Sequence, residues 1–509
     1  MSPATPDGTA PAYRPPTYLP PTDGPAPYPP PAVVIGPRPP TLLEKHWPAP
    51  QTAPSAALLA GCLGVGLLAA ATLFAPRLGL QAGLLGSTLA AVAVVAARRE
   101  PAGSVAPSRA RTAYAVLAVA LAWVPAVRDA APAVVLSVLG SLGLAVLAAA
   151  DGRSWPSTIL AGPAAAAASV RGVFWATRRL TRIGRPTGLL AWLRGGLVAL
   201  VAVWAVGALL ASADSAFAAV VEAVTPHVDL GSLPGRAVLV VVFTLVALTL
   251  ATLAASPPRW DAVRLPYRAG SKVEWVVPLA AVDVVLAVFV AVQATVMFAA
   301  RPDALLGTGT TAAERARQGF GQLVAVTLIT VVLLAWAGRR AGTDRASGRR
   351  LLAGLGGALV LLVLVVVASA LRRMALYEQA FGWTVLRIHV AAFDVWLAVV
   401  LVLCGVAWLL RRTDLVARGV VLAAGAALLA LNLASPDALA ASANVHRYAA
   451  TGKVDLDYLA RLSDDAVPAL TGLPADDRVT VLAPRRAKDD PWYAVSIARL
   501  RAAAALDRL

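Results

Sequence analysis

Residues 351–371 read LLAGLGGALVLLVLVVVASAL, an unbroken uncharged run bracketed by Arg349-Arg350 and Arg372-Arg373. A helix needs about 20 such residues to cross the hydrocarbon layer, so this stretch reads as a transmembrane span. Ten further runs share its character: 55–75, 78–97, 112–127, 131–150, 195–212, 236–256, 276–300, 321–338, 388–410 and 415–434. Backbone polar groups in lipid must be satisfied within each segment, so the expected fold class is all-α, a polytopic transmembrane helix bundle of about eleven spans over residues 55–434. Composition agrees: 58% of residues are hydrophobic and 14% charged, against roughly 25% charged in soluble domains.

The loops differ in charge. The N-terminal segment and every second loop carry 26 Lys and Arg, and the intervening loops carry 9, with Arg236 and Arg418 counted with the loops they border. Basic residues stay on the cytoplasmic side during insertion, which predicts a cytoplasmic N-terminus and an extracytoplasmic segment after residue 434 in a cell (plasma) membrane. The net charge of +17 is explained by these loops, so no nucleic-acid partner is expected; the lipid bilayer is the partner that the composition demands.

Residues 1–54 hold 18 of the 38 prolines and no apolar period, which reads as a Pro-rich disordered cytoplasmic tail. The segment 151–194 is apolar between 156 and 170, then carries Arg171, Arg178, Arg179, Arg182 and Arg185. Were it a span, the downstream charge bias would invert, so it is expected to lie along the inner surface as an interfacial basic segment. Residues 435–509 are polar enough for a small helical tail. Ser435 is expected as the N-cap of its first helix, with Pro436 and Asp437 in the first turn and Gly452 closing it.

Catalytic and metal-binding signatures are sparse. Cys62 and Cys404 fall within spans, and His46, His227, His389 and His446 are scattered, so neither a disulfide framework nor a metal site is expected, and no cofactor is implied. The sequence contains no G-x-S-x-G or H-E-x-x-H. Gly79 and Gly83 form a GxxxG that permits close helix approach.

The loop Arg372–Arg387, RRMALYEQAFGWTVLR, stands apart. On a helix Arg373, Tyr377 and Thr384 share a face, whereas Glu378 lies five and six positions from the two arginines, which places its partner on another loop. Gly382 permits a turn before the next span. With Met374, Leu376, Ala380, Phe381 and Arg387, this loop resembles the hallmark of the bacterial multi-pass membrane proteins grouped as "domain of unknown function 4153/4173". Further similar segments are Ser212–Asp214 with Phe217, Glu274-Trp275, Gln293, Glu314 with Arg317, Gly319 and Phe320, and a tail set that includes Asn444, Arg447, Tyr448, Asp455, Asp457, Tyr458, Ser463 and Asp465. Arg315 stands where the pattern takes an aromatic residue, and Ser215 where it takes proline. The resemblance implies no activity.

Combining resemblance with topology places Asp214, Glu314, Arg317, Arg373, Tyr377, Glu378, Arg387, Arg447, Tyr448, Asp455 and Asp457 on the outer side as a candidate polar cluster. Within the spans, Asp283, Gln293, Asp394 and Asn432 are candidate intramembrane polar groups, because a carboxylate in lipid is costly and must face the bundle or water. The leading expectation is an envelope scaffold or sensor using the outer surface, with an unidentified ligand or protein partner. A transporter or lipid-handling protein using the buried carboxylates is the alternative, followed by a membrane transferase acting on a lipid-linked substrate. No acid pair singles out a catalytic residue, so the reading leans away from an enzyme.

Overall fold

All regular structure among the described residues is helical. The computed structural model describes residues 46–98, 108–182, 230–262, 270–298, 312–341, 346–410, 414–483, 485 and 490–508. The major helices are α1 (Ala56–Thr72), α2 (Leu80–Ala97), α3 (Arg109–Ala122), α4 (Ala131–Ala150), α5 (Ala161–Arg182), α6 (Leu233–Ala255), α7 (Lys272–Phe298), α8 (Ala312–Arg340), α9 (Ala346–Phe381), α10 (Val385–Leu409) and α11 (Asp414–Ala434). The tail adds α12 (Pro436–Thr451), α13 (Ala475–Leu482) and α14 (Ile497–Leu506) with short turns between them. Among the described residues, eight helices are long and apolar enough to cross a membrane. The expected run 195–212 lies outside the described residues; the other ten are helical over most of their described length, but the helices over 55–75 and 321–338 are not among those eight.

Helix starts follow the local chemistry. Ser55 Oγ accepts from Leu58 N–H at 3.1 Å and opens α1, and Ser108 does the same for Arg111 N–H at 3.1 Å and opens α3. The start of α12 differs from expectation. Ser435 precedes Pro436 but sits in the left-handed region at φ 57° and its hydroxyl caps nothing. Asp437 of that first turn instead accepts from Ser463 N–H at 2.9 Å, which ties two tail elements together. Gly452 closes α12 at φ +67°, as expected.

Two helices overrun their apolar cores. α8 begins at Ala312, so Glu314 and Arg317 lie on a helix and not in a loop. α9 continues through the polar RRMALYEQAF to Phe381, and its 36 residues span about 54 Å. Gly382 then turns the chain at φ +87° into α10.

Packing divides the bundle into two halves. α1, α2 and α6 share a core with α5, and α3 packs on α4. α7, α8, α9 and α10 form the second group around Leu359, Val363 and Leu401. α11 bridges them, resting on α3 and α4 on one side and on α10 on the other. Gly83 and Gly86 of α2 allow the Trp123 ring and Ala122 of α3 to approach where a Cβ would collide.

α5 is not among the helices apolar enough to span. Ala164, Ala168 and Trp175 pack with α6 residues 247–255, and Ala161 packs with the last turns of α4.

Candidate functional site

At one end of the bundle the loops 73–79 and 128–130, the last turn of α11 and the tail converge. Arg128 donates through Nε to the Asn432 carbonyl at 2.9 Å and through Nη2 to the Leu433 carbonyl, and its Nη1 meets Asp465 Oδ1 at 3.4 Å. The other oxygen of Asp465 accepts from Asp129 and Ala130 N–H at 2.8 and 3.1 Å. Arg499 pairs with Asp129 and with Asp490 at 2.6 Å, and Arg77 pairs with Asp464 at 3.2 Å. Burial pushes the Asp129 carboxyl above the usual carboxylate range despite Arg499 beside it. Each of these charges is committed to another, so the arrangement is a staple holding the tail to the bundle. Of these residues, sequence reasoning named only Asn432 as a candidate.

The candidates from the sequence are distributed around a second tie at the same end. Asn444 brackets Trp383, accepting from its N–H at 3.2 Å and donating to its carbonyl at 2.8 Å, while Tyr458 OH accepts from Val385 N–H at 2.8 Å. Arg387 donates to the Gly382 carbonyl at 2.6 Å, and Arg447 to the Lys453 carbonyl at 3.2 Å. Tyr448 donates to Asp477 at 2.7 Å, which pushes its phenol pKa up. Asp455 caps the turn Leu456–Ala460 by accepting from Tyr458 N–H at 2.9 Å. Asp457 and Arg373 are exposed.

Glu378 is 4% exposed among Leu371, Met374, Trp383 and Ile388, and its Oε1 has no hydrogen-bond partner. Burial raises its pKa, opposed by Arg387. Asp214 lies outside the described residues, as do the side chains of Glu314, Arg317 and Tyr377.

The intramembrane candidates are not gathered. Asn432 on α11 donates to Ser137 of α4 at 3.0 Å and to its own helix at 2.7 Å. Asp283 on α7 and Asp394 on α10 are 9% and 2% exposed, and neither lines the large cavity described next. Gln293 is half-buried on α7.

That cavity, of about 1670 Å³, lies between α2, α3, α4 and α6. It is several-fold larger than a typical small-molecule pocket of about 300–1000 Å³ at the low end and well above it at the high end. Its walls run along α2 from Ala82 to Arg98, a length of about 24 Å at 1.5 Å per residue. The lining is small and apolar: Gly86, Ala90 and Ala93 of α2, Ala115, Ala118 and Ala122 of α3, Ala145 and Ala148 of α4.

One end is charged. Arg98, Arg111, Arg153, Arg259, Asp151 and Asp261 line it. Asp151 binds Arg153 at 2.5 Å and accepts from Ser108 Oγ at 2.6 Å. Asp261 accepts from Ser154 and Ser157 hydroxyls at 2.5 and 2.6 Å. Both carboxylates are therefore engaged, whereas the guanidinium groups of Arg98, Arg111 and Arg259 form no hydrogen bond or ion pair with any described residue.

A strap of residues 46–52 crosses this end, with Pro48, Ala49, Pro50 and Gln51 lining the cavity. Trp47, 2% exposed, donates to the Ser256 carbonyl at 2.8 Å, and Ser256 Oγ donates to the Pro48 carbonyl at 2.5 Å. From α5, Arg171 lies 4.2 Å over the Trp47 ring and donates to its carbonyl at 3.2 Å; Arg178 and Trp175 donate to Pro50 and Thr52 carbonyls at 3.1 and 2.7 Å. Such a cation–π contact contributes about 0.5–2 kcal/mol.

Fold and cavity together define an integral, multi-pass membrane protein with an all-helical bundle. The chain belongs to the family described as "Domain of unknown function (DUF4153)", whose profile matches residues 115–473. No curated protein and no solved structure matches it.

Proposed function

We propose that this protein is a lipid-handling membrane protein that houses an amphiphile between α2, α3, α4 and α6. The observation that carries this reading is the cavity of about 1670 Å³ with apolar walls and one charged end. Water finds few partners against Ala, Leu and Val walls, and hydrocarbon is the filler that a bilayer supplies at least cost. Asp283 and Asp394 lie apart from the cavity, so the reading does not use intramembrane carboxylates.

The charge partition supports a cytoplasmic strap and an extracytoplasmic tail in the plasma membrane. α5, with Arg178 and Arg179 beyond its apolar face, fits an interfacial helix that holds the strap. A scaffold reading is supported by the tail staple, which displays a fixed helical surface beyond the spans.

The test is to purify the full chain in a mild detergent, extract it and quantify co-purifying lipid by mass spectrometry. Ala118→Trp with Ala145→Trp fills the cavity from two walls and is expected to lower retained lipid to the level of an unrelated membrane protein. Equal retention by the filled variant and the natural chain would reject the reading.

A further inference from the structure

Resting on the lipid reading, we propose that the occupant carries an anionic phosphate headgroup, held by Arg98, Arg111 and Arg259 at the strap end, with its hydrocarbon between α2, α3, α4 and α6. Four arginines and two aspartates line this end, but Asp151 is taken by Arg153 and Ser108, and Asp261 by Ser154 and Ser157. Arg98 and Arg259 are exposed at this end and Arg111 is half-buried with the charge of Asp151 acting on it, so the mouth of the apolar cavity presents three cationic groups whose donors pair with no described side chain.

The chemistry of the donors narrows the anion. Arg98 follows α2, Arg111 lies in the first turn of α3, and Arg259 follows α6, so donors arrive from three elements. A phosphate offers several charged oxygens to such donors, whereas a carboxylate offers two in one plane. The first turn of α3 lines the same space and adds the positive end of a helix. The apolar length behind the headgroup, about 24 Å from Ala82 to Arg98, excludes a free phosphate as the natural occupant, because it would leave that volume unfilled.

The experiment presents the full chain in neutral detergent with an equimolar mixture of phosphatidic acid, phosphatidylcholine and diacylglycerol of matched acyl chains, and measures what is retained. Phosphatidic acid is expected to exceed diacylglycerol by roughly tenfold or more, since one charge-assisted hydrogen bond shifts affinity on the order of tenfold. Arg111→Gln combined with Arg259→Gln is expected to bring that ratio within about twofold, while Arg501→Gln in the tail leaves it unchanged. Should the double variant fail to fold, Arg111→Lys keeps the charge but loses the fork, and is expected to retain part of the preference. Added inorganic phosphate is expected not to displace the lipid.

Equal retention of diacylglycerol and phosphatidic acid would overturn the headgroup inference and leave the lipid cavity standing. Retention of no lipid, together with a disulfide forming between Leu142→Cys and Ala205→Cys, would show that residues 195–212 fill the space and would remove both readings.

Discussion

Asp465 caps a helix that it does not belong to. Its Oδ2 accepts from Asp129 and Ala130 N–H at 2.8 and 3.1 Å, at the start of α4, while Oδ1 faces Arg128 at 3.4 Å. α4 is preceded by Ala130, whose methyl group can accept no hydrogen bond, so the N–H groups leading into the helix and its positive dipole end are met by a carboxylate 335 residues away.

This relationship predicts that Asp465→Ala lowers stability by about 2 kcal/mol or more, combining a lost cap with unsatisfied buried donors. Asp465→Asn, which can still accept, is expected to fall between. Thermal melting in detergent measures the loss, and proteolysis of the tail should accelerate in parallel. A variant melting with the natural chain would show that the staple holds nothing.

Glu378 gives a pH dependence. Its folded pKa is raised above the ordinary value of 4.5, chiefly by burial and against the pull of Arg387. The sign follows: the protonated carboxyl suits the folded state, so its contribution is present at low pH and is lost as pH rises through the folded pKa. Glu378→Gln is therefore expected to melt above the natural chain at pH 8 and to lose that advantage by about pH 4. An advantage independent of pH would place its cause elsewhere.

The strap predicts a kinetic effect. Trp47→Ala removes a buried ring, its contact with Arg171 and its bond to Ser256, a change on the order of 3–5 kcal/mol locally. Exchange of bound fluorescent lipid is expected to quicken, with tail proteolysis unaltered. Unchanged exchange would mean that lipid enters between the helices and not past the strap.

Asp394 is 2% exposed and away from the cavity. Asp394→Asn keeps shape and hydrogen bonding but cannot ionise, and is expected to be neutral or slightly stabilising, with lipid retention preserved. Loss of a proton-coupled flux in vesicles with normal melting would instead make this carboxylate a relay.

Sidedness is checked by labelling. In a background lacking Cys62 and Cys404, a cysteine replacing the exposed Asp457 is expected to react with an impermeant thiol reagent on intact cells, and one replacing Ser347 is not. The reverse pattern would invert the orientation.

The eight spans among the described residues were legible because each is a long run of predominantly apolar residues, and Gly382 and Gly452 were legible because their turns need positive φ. The overrun of α8 and α9 was obscured by charge: Glu314, Arg317 and Arg372 look like loop residues although Ala-rich neighbours favour helix. Asp465 stood among family-like residues, but its role needed the missing cap of α4, which local pattern does not connect to a residue so distant. Arg77 and Asp129 each sit in a loop of a few residues, where a single charge carries no pattern.

The cavity was hidden for another reason. A void is set by what side chains leave empty, and hydropathy does not distinguish alanine lining a space from alanine packed against a neighbour. The nearest signal was the small-residue spacing of Ala82, Gly86, Ala90, Ala93 and Ala97 along one side of α2. GxxxG at Gly79 and Gly83 pointed to the same helix, though Gly79 serves the tail, closing against the Ala494 and Val495 carbonyls.

Residues 46–52 are at once part of the cavity lining and the point where the first 45 residues join the bundle. On the lipid reading, the two would be thermodynamically linked. A partner that binds the N-terminal segment and draws Trp47 off Ser256 would weaken the cavity's hold on its occupant by some factor, and the occupant would weaken that partner by the same factor. On the lipid reading, the strap would make the proline-rich segment a reporter of whether the cavity is filled.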